Sequence, residues 1–369
     1  MLPHRPGADP PTPGHAGPPR RGTTPGAPAR RDDLIRATGA GLVCPRGGFV
    51  IDPVTPARHA VLTHAHADHA RPGSARYLVP EAGLGVLRKR LGEDAPLEAM
   101  PYGVRRTLED GVVVSFHPAG HVLGSAQVRV EAEGEVWVVT GDYKRTPDPT
   151  CAPFEPVPCD VLLTEATFAL PVFRWRPTAE VVDEVVAWWE RNAAAGRTSV
   201  LYAYALGKAP RLLAELASRA PGRPVHLHGA IDAMMAVYRG SLGTAVAFPD
   251  TARVVDLPKK RSLAGELVLA PLSARRSRWE QRLGEIETGF VSGHMAVRGT
   301  RRRRAFDRGF ALSDHADWEA LLRTVRESGA RRVLATHGHA VVLARYLEER
   351  LGLSAEALPD GLYEGEADA

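Results

Sequence analysis

The sequence predicts a mixed α/β protein in which a sheet-rich part is interrupted by a smaller part of alternating strands and helices. Short β-type runs separated by glycine, proline and charged turns dominate residues 40–165. From Pro177 the pattern changes to apolar strands alternating with amphipathic helices, which is typical of a small parallel α/β domain. After Phe290 the chain returns to a strand, a loop, a helix and a further strand. These three observations predict a mixed α/β fold with a sheet-rich layer and a small parallel α/β domain.

The first part is predicted to consist of strands with little helix. Its apolar runs are GGFVID, AVLT, ARYLVP, GVVVSF, AQVRVEA, EVWVVTGD and DVLLTEA. A helical pattern occurs mainly around Glu81–Leu91. This part is therefore expected to form a sheet-rich layer.

The second part begins with an amphipathic helix in PTAEVVDEVVAWWERNAAAG, with Thr178 as the expected N-cap and Gly196 as its end. Three strand–helix pairs follow: SVLYAY with GKAPRLLAELA, PVHLHG with AIDAMMAVY, and LVLAPL with SRWEQRLG. The chain then continues through FALSDHAD, WEALLRTVRESG, RRVLATHGH and VVLARYLEERLG. The pairs predict the small parallel domain, and the last four segments follow a strand–loop–helix–strand pattern.

Residues 1–31 differ from the rest of the chain. They hold nine prolines, several glycines and almost no large apolar side chains, so they cannot bury enough surface to offset the entropy of ordering. We expect a disordered tail, and the lack of an apolar core excludes a signal peptide.

Composition narrows the functional classes. With 44% hydrophobic residues the chain can bury a sizeable core, and no run of about 18 apolar residues suggests a membrane span. The three cysteines have no CxxC spacing, which fits a reducing, cytoplasmic compartment. The net charge of +4 is mildly basic, but arginines cluster near residue 300.

The densest chemical signal is THAHADHA at residues 63–70, which places His64, His66, Asp68 and His69 directly after an apolar run. A single buried histidine is usually a hydrogen-bonded core residue. Four titratable groups within six positions would make a poor core, because each needs its own partner. The cluster therefore predicts metal binding.

Further metal ligands are expected at the ends of later strands. His121 follows VVVSF, Asp142 follows VWVVT and His337 follows RVLA. Imidazole and carboxylate groups suit zinc, and carboxylates also suit manganese, so two divalent cations would fit the set. Taken alone, His121 or Asp142 would be as consistent with a structural residue as with a metal ligand.

These motifs resemble those of a known family. HAHADH matches the HxHxDH signature of the metallo-β-lactamase fold, and Glu165 in LLTEATFA, His315 in LSDHAD and His337 in THGH resemble motifs A, B and C of the β-CASP nucleases. The resemblance implies an αββα sandwich with an inserted β-CASP α/β domain. It implies a metallo-β-lactamase domain in residues 34–170, the insertion in 171–295 and a return to the first domain in 296–360.

Longer strings are similar to the bacterial DNA ligase-associated exonuclease group, namely YALGKAPRLLAEL, VHLHGA, APLSARRSRW and VRGTRRRRAFDRGFALSDHADW. This closer resemblance implies an exonuclease that trims DNA ends in repair, with a functional link to an ATP-dependent DNA ligase and a helicase. The histidine at the third motif, His337, is commoner in RNA-cleaving members, so an RNA-processing exo- or endoribonuclease is the alternative.

The resemblance also implies a role for each site residue. It assigns His64, His66 and His121 to one cation, assigns Asp68, His69 and His337 to the other, and makes Asp142 a ligand of both. Asp52 would orient a ligand from behind. Asp68, Glu165 and His315 are the expected catalytic residues. His315, oriented and kept protonated by Glu165, would give a proton to the leaving sugar oxygen.

Residues that contact substrate are predicted with less support. Arg298 and the run Arg301, Arg302, Arg303 and Arg304 precede the His315 motif and could contact the nucleic-acid backbone or form a solvated strand edge. His228 ends a strand and could contact a phosphate. A small-molecule hydrolase would share HAHADH but would not need the insertion, the Glu165–His315 pair or the arginines. A non-catalytic scaffold is disfavoured because every ligand position is filled.

Overall fold

The computed structural model describes residues 33–258, 261–297 and 306–359. They form a mixed α/β structure with three sheets. Within these ranges no helix has the length and apolarity needed to cross a membrane. The predicted tail and the arginines at 298 and 301–304 lie outside the described residues.

The first sheet contains six strands in chain order. They are β1 (Arg36–Thr38), β2 (Gly41–Cys44), β3 (Phe49–Ile51), β4 (Ala60–Val61), β5 (Tyr77–Pro80) and β6 (Leu97–Met100). The first three pair antiparallel and the rest pair parallel. The predicted helix lies between β5 and β6 as α1 (Leu84–Leu91), after a short 3₁₀ turn. The HAHADH motif, which is predicted to bind metal, lies in the loop between β4 and β5.

The second sheet begins with five strands that follow one another in the chain. They are β7 (Arg106–Thr107), β8 (Val113–Pro118), β9 (Ala126–Ala132), β10 (Glu135–Val139) and β11 (Val161–Glu165). The strands from β7 to β10 pair antiparallel, whereas β10 and β11 pair parallel. Apolar side chains from the first two sheets share one buried cluster. This core fixes the loops at the strand ends.

The third sheet is entirely parallel, as the strand–helix alternation predicts. After α2 (Thr178–Ala194), its elements are β12 (Thr198–Tyr202), α3 (Lys208–Arg219), β13 (Val225–Leu227), α4 (Gly229–Leu242), β14 (Thr251–Arg253), β15 (Leu267–Ala270), β16 (Ile286–Val291) and β17 (Arg308–Phe310). Because β17 pairs with β16, the sheet continues beyond residue 295.

Two local predictions in this part are wrong. SRWEQRLG forms only the 3₁₀ turn Glu280–Leu283, since the run before Gly284 is too short for a stable α-helix. Thr178 is the first helical residue rather than the N-cap, which is Pro177. The Thr178 hydroxyl instead accepts a hydrogen bond of 2.6 Å from Arg211.

The chain then completes the second sheet. Its last elements are α5 (Trp318–Ser328), β18 (Arg332–Thr336), α6 (Ala340–Leu351) and β19 (Ser354–Ala357). β18 lies parallel between β11 and β19, and both helices pack on this sheet through a buried cluster of their own. The neighbouring parallel strands β10, β11 and β18 therefore end at the same edge. Asp142, Glu165 and His337 lie at that edge.

Candidate metal centre and active site

The site is built from loops at strand ends. Asp142 follows β10, Glu165 ends β11 and His337 follows β18. Since these strands are neighbours and parallel, their carboxyl ends bring the three side chains together. The loop after β4 brings the HAHADH motif to the same place, and the turn between β8 and β9 brings His121. A rigid sheet thus holds residues that are up to 273 positions apart in sequence, from His64 to His337.

The structure gathers the predicted ligands into groups in which the ligand atoms lie within 4.8 Å of one another. The groups are His64, His66, His121 and Asp142; Asp68, His69 and His337; and Asp142, Glu165 and His315. The first two groups correspond to the two sets of ligands that the sequence resemblance implies. The third group is the expected acid–base pair beside the shared aspartate.

Asp142 lies between the groups. Its Oδ2 is 3.5 Å from Nε2 of His64 and 3.5 Å from Nε2 of His69. The same oxygen is 3.8 Å from Nε2 of His121. Its other oxygen, Oδ1, is buried and has no hydrogen-bond partner in the described structure. A buried carboxylate oxygen is costly without a partner, so this position is suited to a cation.

Asp52 orients His69. Its Oδ1 accepts the backbone N–H of Thr63 at 2.8 Å, and its Oδ2 accepts the Thr63 hydroxyl. Oδ2 also lies 2.8 Å from Nδ1 of His69, which donates to it because a carboxylate only accepts. Nε2 of His69 is thereby directed at Asp68 and Asp142, 3.7 and 3.5 Å away. This is the arrangement expected of a carboxylate behind a metal-binding histidine.

Replacing Asp52 with asparagine is expected to weaken divalent-cation binding about 10- to 100-fold. Asp52 has φ of +44°, a left-handed conformation that asparagine also tolerates, so the backbone should persist. The amide cannot match the charge that holds His69. Competition titration with a chromogenic chelator would measure the loss, with Asp183→Asn on α2 as an exposed control. Unchanged affinity would remove the orienting role.

Thr63 is a residue that the sequence analysis missed. Its hydroxyl donates to Asp52, so it accepts from Nδ1 of His64, which is 3.0 Å away. One aspartate therefore fixes the rings of both His64 and His69. The position directly before the motif was the available signal, since a hydroxyl there can contact the first ligand.

His121 is fixed from its far side by a backbone carbonyl. Nδ1 of His121 lies 2.7 Å from the carbonyl oxygen of Asp314, which can only accept, so the ring proton lies on Nδ1. Nε2 is then the metal-facing atom, 3.0 Å from Nδ1 of His66. Ser125 secures the turn by accepting the backbone N–H of His121 at 3.0 Å. Asp314 and Ser125 were also missed.

His337 is held in a strained conformation. Its φ is +62°, which is rare for a side chain other than glycine or asparagine. Gly338 follows with φ of +50°, and a Cβ there would lie 2.6 Å from Cα of Thr167. The His337 ring stacks on His69 with centroids 5.5 Å apart and an interplanar angle of 11°. Strain of this kind occurs at functional sites, where the surroundings enforce it.

Glu165 and His315 form a buried pair. Nδ1 of His315 lies 2.9 Å from Oε2 of Glu165, and Oε1 accepts the backbone N–H of Tyr143 at 2.7 Å. The His315 ring lies 4.7 Å from the His121 ring, measured between centroids. The pair therefore places an oriented imidazole beside the group that contains His121.

The pKa values of the titratable groups in the site are shifted in different directions. Burial lowers the pKa values of His64 and His121 well below the ordinary value and also lowers that of His337. Burial would lower the pKa of His69 too, but Asp142 and two further carboxylates raise it well above the ordinary value. Burial would raise the pKa of Asp142, but His69 above all holds it well below the usual range. Three neutral imidazoles and one ionised carboxylate are suitable metal ligands.

The metal-free protein is expected to lose stability between pH 6.5 and 5. His64 and His121, whose folded pKa values lie well below the ordinary value, stay neutral in the fold, whereas in the unfolded chain they bind protons below about pH 6.5; the lowered pKa of His337 acts in the same direction. The unfolded state then holds more protons, so the free energy of unfolding decreases as pH falls. His69 has a raised pKa in the folded state, so below about pH 6.5 it is protonated in both the folded and the unfolded state and does not change this trend. Its contribution to the free energy of unfolding is lost only at higher pH, as the pH rises through its folded pKa.

Scanning calorimetry in the presence of a chelator would test this expectation. Each kcal/mol lost should lower the melting temperature by about 2–4 °C. A His337→Asn variant should show a shallower decrease with pH. A melting temperature that is constant or rises toward pH 5 would contradict the prediction.

The donor set fits divalent cations. Five imidazoles and two carboxylates converge. The buried Oδ1 of Asp142, which has no hydrogen-bond partner in the described structure, is a position that a cation would fit. Nitrogen and oxygen donors of this kind suit zinc, and the carboxylates also suit manganese.

A cavity of about 270 Å³ opens beside this centre. His66 and Asp68 form part of its lining, together with apolar side chains from α1 and from the third-sheet part, among them Val86 and Met234. Lys89 and Arg90 of α1 also line it and are exposed. The cavity joins an apolar wall, cationic groups and two predicted metal ligands.

The remaining predicted substrate residues lie apart from these groups. His228 is the N-cap of α4, where its Nδ1 accepts the backbone N–H of Ala230 at 3.1 Å, and its ring contacts Trp279. The described geometry thus gives His228 a structural role, and phosphate contact stays a prediction. Arg298, Arg301, Arg302, Arg303 and Arg304 lie outside the described residues.

Most of the chain is similar to one long protein. It is 32% identical over 323 residues to a probable DNA ligase of Opitutus terrae, and the matched region covers 86% of this chain and 30% of that protein. It is 31% identical over 135 residues to Integrator complex subunit 11 of Danio rerio, covering 32% of this chain and 20% of the relative. It is 28% identical over 123 residues to an RNase J-like protein of Methanocaldococcus jannaschii, covering 32% and 28%. The chain spans less than a third of the length of each.

These relatives are consistent with the gathered HAHADH ligands. They support a metallo-β-lactamase/β-CASP family. A solved structure of a protein of unknown function from Enterococcus faecalis V583 matches with a TM-score of 0.55 and 15% identity, covering 83% of this chain and 80% of that one. At this identity the likeness shows a shared fold alone. No protein-family model matches the chain. Support for a metallo-β-lactamase/β-CASP family therefore comes from these relatives and from the grouped side chains of the site.

Proposed function

We propose that the chain is a metal-dependent phosphodiesterase, an exonuclease that trims DNA ends in ligase-associated repair in the cytoplasm. The observation that carries the nuclease proposal is the convergence of seven imidazole and carboxylate ligands beside the Glu165–His315 pair. The choice of DNA is supported by the similarity over 323 residues to a segment of a much longer probable DNA ligase. Because the similar segment is part of a protein named as a probable DNA ligase, a role on DNA is favoured. A helicase is a further expected partner.

The proposed architecture is the αββα sandwich with an inserted β-CASP domain that begins at residue 171 and, through β17, continues beyond the expected boundary at residue 295. The cluster shared by the first two sheets and the helices packed on the second sheet support it. In this arrangement the cavity beside the centre lies between α1 and the insertion.

Two divalent cations, zinc or manganese, would be held by two sets of residues that share Asp142. The first set is His64, His66 and His121, and the second is Asp68, His69 and His337. When bound, such ions supply Lewis acidity, which activates water and stabilises charge on a phosphodiester. The polar residues around them hold the rings in place before substrate arrives.

Asp68 and His315 are the residues proposed to move protons. Asp68 lines the cavity, so its carboxylate can accept a proton from the attacking water. Glu165 holds Nδ1 of His315, and Trp175 donates its indole N–H to the His315 carbonyl oxygen at 2.8 Å. Nε2 of His315 is thereby oriented to give a proton to the leaving sugar oxygen, which yields a 5′-phosphate and a 3′-hydroxyl.

Substrate contact is proposed at the cavity and at the arginines. The apolar wall can take a nucleobase, while Lys89 and Arg90 attract the backbone. Arg298 and Arg301–Arg304 would add cationic contacts, and His228 a phosphate contact. These contacts predict affinity for single strands that weakens as salt rises.

Cleavage of RNA is the second candidate. It is favoured by the shorter similarities to relatives named as endoribonucleases and as an RNase J-like protein, and by the histidine at position 337. Those similarities cover 32% of this chain each, against 86% for the probable DNA ligase. The longer similarity favours DNA.

One experiment separates the candidates. Purified protein is incubated with end-labelled single-stranded DNA, duplex DNA and RNA, each with zinc or manganese, beside an Asp142→Ala control. We expect metal-dependent release of mononucleotides from DNA. Rapid cleavage of RNA with intact DNA would replace the proposed substrate, and no cleavage of any phosphodiester would overturn the proposed function.

A further inference from the structure

A buried cluster of charged side chains adjoins the metal centre. It contains Lys144, Asp148, Lys208, Arg211 and Asp314, whose side chains are at most 3% exposed. Asp148 pairs with Lys144 at 2.6 Å. Asp314 lies 3.1 Å from Nζ of Lys208 and 3.3 Å from Nη1 of Arg211. We call these five residues the buried ion cluster.

The buried ion cluster joins three parts of the chain. Lys208 and Arg211 lie in the first turns of α3, which belongs to the third-sheet part. Lys144 is two residues after Asp142, the shared metal ligand, and Asp314 directly precedes His315. The cluster is therefore the place where the inserted part meets both the metal ligands and the proposed general acid.

Backbone contacts connect the cluster to the centre. The carbonyl oxygen of Asp314 accepts from Nδ1 of His121 at 2.7 Å, and the carbonyl oxygen of Ser313 accepts from Nη1 of Arg211 at 2.8 Å. The Ser313 hydroxyl oxygen accepts the backbone N–H of His315 at 3.1 Å. The short loop that sets the orientation of His121 is thus held by Arg211 on one side and carries His315 on the other.

Stability is a poor explanation for these charges. Removing several ions from water costs as much as their attraction returns, and apolar side chains of similar volume often stabilise equally well. Lys208 and Arg211 hold the Asp314 carboxylate from two directions, at 3.1 and 3.3 Å. A clamped Asp314 has a fixed position, and its carbonyl oxygen is fixed with it.

We propose that Lys208 and Arg211 are positioning residues: by clamping Asp314 and Ser313 they hold His121 in metal-binding orientation and His315 in place. The inserted part then sets the geometry of the metal centre itself. This role rests on the proposed function for its effect on catalysis, whereas its effect on metal affinity can be measured independently.

The test compares Lys208→Met, Arg211→Lys and the double variant Lys208→Met/Asp314→Asn with the wild type. Mn²⁺ and Zn²⁺ affinities are measured by chelator competition, and kcat and KM are measured on single-stranded DNA. Each variant is expected to lose about 10- to 100-fold in metal affinity and in kcat, with KM changed less than about twofold. Arg219→Lys, at the partly exposed C-terminal end of the same helix, is the control and should match the wild type.

The double variant distinguishes positioning from charge balance. It removes one cation and one anion together, so a cluster that only balanced charge would recover full metal affinity in it. Recovery to wild-type affinity would overturn the proposal, as would unchanged affinity in Arg211→Lys. If Lys208→Met fails to fold, Arg211→Lys, which keeps the charge, decides the outcome. A wild type that binds metal but cleaves nothing would refute the proposed function and leave the affinity comparison valid.

Discussion

Replacing Asp142 with alanine is expected to abolish phosphodiester cleavage, with a loss of at least about 10³-fold in kcat. Its Oδ2 lies 3.5 Å from Nε2 of both His64 and His69, so one carboxylate serves both groups of ligands. Its removal also leaves His69 with less of the negative charge that sustains its raised pKa. A loss of about 4 kcal/mol in transition-state stabilisation corresponds to the stated factor.

Two measurements check this prediction. Metal content after dialysis should fall by at least one ion per chain, and single-turnover cleavage of end-labelled DNA should fall with it. Asp183→Ala removes a carboxylate that is 68% exposed on α2 and should leave both unchanged. An Asp142→Ala protein that retains its metal and cleaves at the wild-type rate would show that the seven residues do not act as one centre.

The metal centre could be predicted from sequence because its ligands follow strands. HAHADH is a dense local signal, and His121, Asp142 and His337 each follow an apolar run. What the pattern could not provide is that β10, β11 and β18 are neighbours, because β18 is separated from β11 by the whole third-sheet part. The family resemblance implied only that these ligands share one site, and the strand order that brings them together comes from the structure.

The residues that orient the ligands were harder to predict. Asp52 was expected from the resemblance, and the structure places it against His69. The contact between His121 and the Asp314 carbonyl joins residues that are 193 positions apart. Because every residue has a backbone carbonyl, the residue type at position 314 does not indicate this contact. Lys208 and Arg211 carry no sequence signal of their burial, since periodicity cannot show that buried partners face them. Tertiary pairing, not local pattern, determines such positions.

Helix boundaries failed for a related reason. SRWEQRLG has a helical composition but is only a 3₁₀ turn, since packing is what stabilises short helices. Thr178 has the side chain of an N-cap, yet its hydroxyl accepts from Arg211 in the third-sheet part. In both cases tertiary contacts override the local preference.

Replacing His315 with alanine is expected to lower kcat on DNA by about 10²- to 10⁴-fold while metal content stays at the wild-type level. The ring is held by Glu165 at 2.9 Å and lies next to, rather than among, the ligands of the first group. Its loss should therefore remove a proton donor and leave the cations in place. Glu165→Gln should cause a smaller loss in kcat, since the amide still contacts the ring but does not stabilise its charged form.

The leaving group provides the deciding comparison for His315. A poor leaving group such as a sugar alkoxide needs a proton in the transition state, whereas p-nitrophenolate does not. On bis(p-nitrophenyl) phosphate the His315→Ala protein should thus retain cleavage within about tenfold of the wild type, although it is nearly inactive on DNA. Equal losses on both substrates would instead mean that the ring acts by positioning the centre, and full activity on DNA would remove His315 from the reaction. Because the Asp314 carbonyl that fixes His121 belongs to the preceding residue, metal affinity measured in the same variant separates a lost proton donor from a disturbed ligand.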